Sequence, residues 1–442
     1  MTDNPRLQAV RALVKVIGQQ KTLDQVLSKG TQPIVRELTS GTLRHYFSLS
    51  QRVDELLTRK LRDKDLDVSC LMLIGAYQLI HTRIPDHAAV AETVGCTKAL
   101  KKPWAKGLVN AVLRNLPGPT EEWSPAALND HPHWYINLLR ANLGEHWLEI
   151  MGANNSRAPM TLRVNCARTS VEDYIKLLDE RNIEWQQGAL PETLFLATPI
   201  PQKKLPGFEQ GFVAVQDSAA QLAVSVAAAQ SGMRVLDACA APGGKGFHLL
   251  EQQPAVSLCM QDIAPARVTT LCEQAKRLGH LDNKSAQIRQ SDSTTIDDPT
   301  DEARYDLILL DAPCSGSGTV RRHPDIKVLR SQNDLDALNR TQNALLDSLW
   351  QQIAPGGRLI YSTCSLFQEE NDAIISAFVE RCTTDVEVGF IAPRLPIHHR
   401  TPFITTRHGI QTLPSVDGCD GLYYAELIAP KTISHMQHGP KQ

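Results

Sequence analysis

Two cysteines of this chain stand where a thiol could do nucleophilic chemistry. Cys364 follows the run Leu359-Ile-Tyr-Ser-Thr, and Cys314 follows Leu309-Leu-Asp-Ala-Pro. Each run is apolar and then turns small and hydroxylated, the pattern of a buried strand that empties into a loop. A thiol is partly ionised near neutral pH and inherently reactive, so a strand-end cysteine can attack an electron-poor carbon. One such cysteine alone is usually structural. Two on successive strands, each flanked by small hydroxyl residues, point to a shared crevice, with Asp311 at its mouth. The ten cysteines contain no Cys-x-x-Cys pair, and no histidine spacing completes a zinc pattern. No metal is expected, and reduced thiols fit a cytoplasmic protein.

A second group of residues has the chemistry of a cofactor site. Val235-Leu-Asp-Ala-Cys-Ala-Ala-Pro-Gly-Gly-Lys245 reads as a strand, a glycine turn and a helix start. Cys239, Ala240, Ala241, Pro242, Gly243, Gly244 and Lys245 would let the backbone approach a ligand, and the helix N-terminus offers free N–H groups. The spacing is neither a dinucleotide fingerprint nor a Walker loop, so pyrophosphate ligands lose support. The next strand ends at Asp262, whose ionised carboxylate can accept from two ribose hydroxyls. The strand after that leads to Asp292, which can accept from the amine of adenine. Together these features describe a nucleoside without phosphates, and S-adenosyl-L-methionine fits.

The elements that must position these groups follow from periodicity. From residue 231 to 430 strands alternate with helices, the signature of a doubly wound α/β sheet. Residues 1–130 read as an all-α domain of six or seven helices up to about residue 115. Its stripes include Leu7, Val10, Leu13, Val14 and Ile17, and another runs from Val53 to Leu61. A proline-rich linker over 117–132 leads into a small α+β unit at 131–230, and 431–442 reads as a tail. The longest apolar run, about Leu71 to Ile80, is far short of the ~20 residues of a membrane span. The net charge is −2, but residues 1–145 carry 19 Lys and Arg against 14 Asp and Glu. Lys98, Lys101, Lys102 and Lys106 cluster around Trp104 as a candidate phosphate-facing patch.

The paired Pro-Cys and Thr-Cys motifs, with the Asp-Ala-Cys-Ala-Ala-Pro-Gly-Gly-Lys loop, resemble the RNA 5-methylcytosine methyltransferase family. Arg321-Arg-His-Pro-Asp325 and Val215-Gln-Asp-Ser-Ala-Ala220 resemble it as well. The N-terminal module is similar to a NusB-like RNA-binding domain, which points within the family to bacterial enzymes that act on small-subunit (16S) rRNA. The resemblance implies a multidomain protein: NusB-like helices, a small α+β middle domain and a Rossmann-like methyltransferase domain. It implies a monomer that transfers a methyl group from S-adenosylmethionine to carbon 5 of a cytosine. Cys364 would be the nucleophile, Cys314 would assist proton loss and release, and Asp311 would bind the base edge. Arg321 and Arg322 join the candidate RNA contacts. The chain departs from the family at Gly246, where Thr is usual, at Ser291-Asp-Ser293, and at Gly421-Leu-Tyr-Tyr424. Two other classes compete: a thiol hydrolase pairing Cys364 with a histidine such as His323, and an antitermination-like RNA binder without catalysis.

Overall fold

The computed structural model of the chain describes residues 4–28, 30–118, 124–280, 286–296, 304–382 and 385–431. It divides into two compact units. One comprises residues 1–157 with 319–332, and the other 158–318 with 333–442. The compact units group the chain differently from the three expected domains, with the small middle sheet falling in the second unit. Residues 432–442 of the expected tail, and 119–123 of the expected linker, lie outside the described residues.

The first unit is helical. Asn4 caps its first helix, Pro5–Gln19, by accepting from the Arg6 amide at 2.9 Å. Leu7, Val10, Leu13 and Val16 are its buried stripe, whereas Val14 and Ile17 are only half-buried. The helix Leu66–His81 is buried through most of its length and forms the centre of the unit. Helices Pro33–Arg44, Tyr46–Asp54, Asp86–Ala99 and Ala105–Arg114 pack with it into one apolar core. The expected helix over Val53–Leu61 does not form. Helix Tyr46–Asp54 ends there, and 55–61 is turn and coil. The expected linker also contains a short helix, Pro125–Asn129.

Residues 319–332 were expected inside the α/β domain, yet they belong to the helical unit. Asp325 accepts from the Leu23 amide at 2.9 Å. The buried Lys327 ammonium donates to Arg44 O and Asn155 Oδ1, at 2.7 and 2.6 Å. Val328 and Leu329 add to the helical core. The chain thus leaves the sheet after the Cys314 loop, docks into the first unit, and returns at residue 333.

The second unit contains two sheets. The smaller is antiparallel, with strands β1 (Met160–Val164), β2 (Trp185–Gln187), β3 (Thr193–Leu196) and β4 (Val213–Val215) in the order β2-β3-β1-β4. The larger has β5 (Arg234–Ala238), β6 (Ser257–Asp262), β7 (Ala286–Gln290), β8 (Tyr305–Asp311) and β9 (Ile353–Thr363) as its parallel part. Strands β10 (Glu387–Gly389), β11 (Phe403–Thr405), β12 (Gly409–Thr412) and β13 (Tyr423–Ile428) add an antiparallel flank that the alternation pattern did not predict. The order is β11-β12-β13-β9-β8-β5-β6-β7, with β10 also on β13. Helices on both faces bury two separate cores. The chain steps outward from β5 to β7, then returns to β8 on the other side of β5, so the switch point lies between β5 and β8. Ligands of such sheets bind at the carboxyl ends beside that point.

A buried arginine joins the two sheets of this unit. Arg163 on β1 donates to both carboxylate oxygens of Glu251 at 2.8 and 2.7 Å, and to Gly244 O at 2.7 Å. Both side chains are 1% exposed. Since Glu251 and Gly244 lie on one helix, Gly244–Gln252, the middle sheet grips both ends of the helix that starts at the glycine loop. Arg163→Met strands a buried carboxylate and should cost about 3–5 kcal/mol in urea unfolding. Arg163→Met with Glu251→Met should recover most of that loss. A double variant no better than the single would contradict this account.

Candidate active site

The glycine loop leaves β5 through Cys239, which has φ 59°. Ala240 donates to Gln261 O at 2.9 Å, and Gly243 to Ala240 O at 2.7 Å, closing a tight turn. The Ala241-Pro242 bond is cis. Gly243, at φ 97°, is the N-cap of helix Gly244–Gln252, and a Cβ there would meet the Phe247 ring at 2.2 Å. Only glycine fits that position. The first turn of the helix leaves amides without intrahelical partners beside the ends of the parallel strands.

The acids occupy successive strand ends. Asp262 is buried; its Oδ2 accepts from the Ala241 amide at 3.2 Å, and its Oδ1 from the Ala264 amide at 3.3 Å. Arg267 Nε lies 3.2 Å from Asp262 Oδ2, and Arg267 also donates to Ala241 O. Ile263, next in sequence, is 60% exposed and presents an apolar face beside this acid. Asp292, two residues past β7, accepts from the Thr294 amide and hydroxyl at 2.9 and 2.7 Å, which shapes its own turn. Asp311, the last residue of β8, pairs with Lys245 Nζ at 2.6 Å and accepts from Ser362 Oγ at 3.2 Å.

Parallel pairing sets Asp311 opposite Ser362. Three residues beyond the first and two beyond the second come the cysteines, and their Sγ atoms lie 3.3 Å apart. Gly318 donates to Cys364 O at 2.9 Å and so closes the Cys314 loop onto the end of β9. The hydrogen bond to Cys364, followed by burial and nearby negative charge, holds the Cys314 thiol well above its usual range. The two sulfurs share one hydrogen bond, in which either can be the donor. Cys239 is different: burial pushes its thiol up to about 12.

Sequence reasoning missed several groups. Asp237 on β5 is fully buried, and neither carboxylate oxygen has a well-formed hydrogen bond. Burial pushes it up to about 7, against the pull of Lys245. A Cβ on Gly246 would lie 2.5 Å from Asp237 Oδ2, so the glycine leaves room for that carboxylate. Glu370, from the run Gln368-Glu-Glu-Asn371, is 0% exposed and bonds both cysteine loops. Its polar run reads as surface, and the signal it did carry was its place six residues after Cys364.

Two expectations for RNA contacts need correction. Arg321 is 1% exposed, so its guanidinium offers no surface for RNA. Arg322 is half-buried. Lys102 is tied down by Asp65 and Asp67 at 2.8 and 2.7 Å and by Lys64 O at 2.7 Å, and braces the start of helix Leu66–His81. Lys98, Lys101, Lys106 and Trp104 are exposed. His323, the histidine of the hydrolase reading, lies 3.9 Å from Asp24. Among the described residues no cluster of His, Cys, Asp and Glu could hold a metal, and no helix is long and apolar enough to cross a membrane.

The chain matches the family described as 16S rRNA methyltransferase RsmB/F over residues 224–428. Residues 131–203 match the ferredoxin-like domain of RsmF/B-like methyltransferases, and 3–117 match the NusB family. It is 40% identical to ribosomal RNA small subunit methyltransferase B of Pseudomonas syringae pv. tomato, over 96% of this chain and 97% of that one. The chain belongs to the RsmB/F family of 16S rRNA methyltransferases. Its helical domain is NusB-like, its small sheet ferredoxin-like and its large sheet Rossmann-like. The solved structure of PH0851 shares the fold, with TM-score 0.78 at 22% identity over 97% of this chain and 99% of that one. NSun6 from Pyrococcus horikoshii, solved with SFG, aligns with TM-score 0.59 at 20% identity over 69% of this chain and 100% of that one.

The buried Asp237 makes stability depend on pH. Its folded pKa is raised, so the native chain holds a proton that the unfolded chain has lost between about pH 4 and 7. Stability falls as pH rises through that window. Asp237→Asn removes the titration and should stabilise the cofactor-free protein at pH 8 by a few kcal/mol, with the gain vanishing near pH 4. Urea midpoints at the two pH values measure this. An equal effect at both would contradict the assignment.

Proposed function

We propose that this family member transfers a methyl group from S-adenosylmethionine to carbon 5 of a cytosine in small-subunit rRNA, through a covalent bond between Cys364 and carbon 6. The observation that carries the reading is the 3.3 Å contact between two strand-end thiols beside Asp311.

The residues present fit such a cofactor. Gly243, Gly244 and Gly246 keep the loop and the helix start free of side chains, with Cys239, Ala240, Ala241 and Pro242 as its backbone wall. We assign the ribose hydroxyls to Asp262 and the adenine amine to Asp292, with the exposed Ile263 as an apolar face for the ring. The buried Asp237, whose carboxylate has no well-formed hydrogen bond, lies beneath the loop. When bound, the cofactor supplies an electrophilic methyl group on a sulfonium sulfur.

The chain's own groups perform the remaining steps. Carbon 5 of cytosine is a weak nucleophile until the ring loses its conjugation. The Cys364 thiolate forms a bond to carbon 6, the 5,6 double bond opens, and N3 takes up a proton from solvent. Asp311 accepts from N3–H and the exocyclic amine, which stabilises this adduct. Lys245, paired with Asp311 at 2.6 Å, holds that carboxylate in place. Carbon 5 then attacks the methyl group. Cys314, released from its bond to a neighbouring thiolate, loses its proton to solvent and removes the hydrogen from carbon 5. The electron pair expels Cys364, and N3 returns its proton. One proton is released per methyl group transferred. The base must leave its stack to enter the crevice. We assign the phosphate contacts to Lys98, Lys101 and Lys106 beside Trp104, with Arg322 as a further contact, and the working form to a monomer.

Cys314→Ala should methylate once and stall, giving a slowly migrating protein–RNA band on a denaturing gel. Cys364→Ala and the double variant should give none. The opposite pattern would exchange the two roles. Asp262→Ala should weaken cofactor binding by about 1.5–3 kcal/mol, the range for hydrogen bonds to a charged group. Wild-type affinity by calorimetry would overturn the ribose assignment.

A further inference from the structure

The two thiols sit on separate loops, and a contact of 3.3 Å between them has to be enforced by something. The residues that follow the cysteines, Ser315 and Ser365, both turn toward one buried carboxylate. Glu370 Oε1 accepts from the Ser315 amide at 2.7 Å and from Gln342 Nε2 at 3.3 Å. Its Oε2 accepts from Ser315 Oγ and Ser365 Oγ, each at 2.5 Å. Gln342 also donates to Pro313 O at 3.0 Å, just before Cys314.

The network has one consistent direction. The Ser365 hydroxyl gives its proton to Glu370, so at 3.0 Å the Ser317 hydroxyl gives its own to Ser365. Ser317 Oγ in turn accepts from the Leu366 amide at 2.8 Å, and Ser365 Oγ from the Phe367 amide at 3.1 Å. Every partner of Glu370 can donate, the pattern that suits a carboxylate, and these bonds oppose the burial that pushes its pKa up. Tyr361 fixes the residue itself by donating to Glu370 O at 2.7 Å. Four donors from three segments converge on a carboxyl group that has no exposure to water. Such bonds are short, directional and strong.

We propose that Glu370 is a positioning residue that ties the Cys314 loop to the Cys364 loop and thereby sets the thiol contact. The proposal rests on the covalent reading above, since its value to the enzyme is that both sulfurs face one base. Glu370 touches neither cysteine side chain and acts through the serines beside them. The methyl-accepting carbon must see one sulfur at carbon 6 and the other at the carbon 5 hydrogen, and a displacement of about 1 Å can cost about 100-fold in rate.

Phenylarsine oxide bridges two thiols only when they are adjacent, forming two arsenic–sulfur bonds and releasing water. The wild-type protein should be bridged between Cys314 and Cys364, read as protection of both peptides from iodoacetamide by mass spectrometry. Glu370→Ala should lose that bridging while still binding S-adenosylmethionine. Its kcat should fall about 100-fold with KM for RNA within about threefold. Glu370→Gln keeps the volume but must reverse one serine bond, and should fall between the two. It also serves if the alanine variant does not fold. Ser315→Ala should weaken bridging in the same direction. A folded Glu370→Ala or Glu370→Gln protein with wild-type bridging and wild-type kcat would overturn the proposal. A wild-type protein that bridges the arsenical, yet never methylates cytosine, would instead sink the methylation reading and leave the role of Glu370 in place.

Discussion

Parallel pairing of β8 with β9 is the constraint from which the rest of the site follows. Evenly spaced hydrogen bonds set Asp311 against Ser362, and the chain has only a few residues on each side before it must turn. Both cysteines fall in those residues. A shift of one position would move every side chain of a strand to the other face of the sheet. The loops that carry the thiols would then start from different positions along the sheet edge. The thiol contact is therefore a consequence of strand register. Apolar runs such as Leu307 to Leu310, all buried, fix that register.

Buried charge does a second kind of work in this fold. Arg163 with Glu251 holds the helix of the glycine loop, and Glu426, 0% exposed, takes Arg358 and Arg394 on the antiparallel flank. These charges are all paired, as low-dielectric surroundings demand. Glu370 belongs with them, satisfied by four donors. Asp237 is the exception, with no well-formed bond and with Gly246 leaving its side open. It sits under the loop where the cofactor is proposed to bind. An acid left unsatisfied at a ligand site is a typical feature of sites that complete their polar contacts only when filled.

The sequence made legible whatever was local. The glycine turn, the strand-end acids and the two cysteines could be read because each motif carries its strand and loop in a few consecutive residues. The helical module and the alternating core were legible for the same reason. What failed depended on convergence from distant segments. Arg321 and Lys102 have the composition of surface residues, yet one is buried and the other is held by Asp65 and Asp67. Glu370 follows Gln368 and Glu369, and nothing in that polar run says that Ser315, 55 residues earlier, closes on it. The run 319–332 looked like part of the α/β domain because its neighbours in sequence are. Only Asp325 on the Leu23 amide, and Lys327 against Asn155, show where it docks. The flank β10–β13 was missed because its strands are short and antiparallel, with no helix between them to announce a crossover.

The central claim is that Cys364 is the atom that attacks the base. The most direct test uses the wild-type protein, S-adenosylmethionine and small-subunit rRNA carrying 5-fluorocytidine, whose fluorine cannot leave as a proton does. The trapped complex is digested with protease and nuclease, and the modified peptide is sequenced by mass spectrometry. The account predicts a methylated fluorocytidine nucleotide on the peptide that contains Cys364, at that sulfur. A nucleotide on Cys314, or no covalent nucleotide at all, would contradict it.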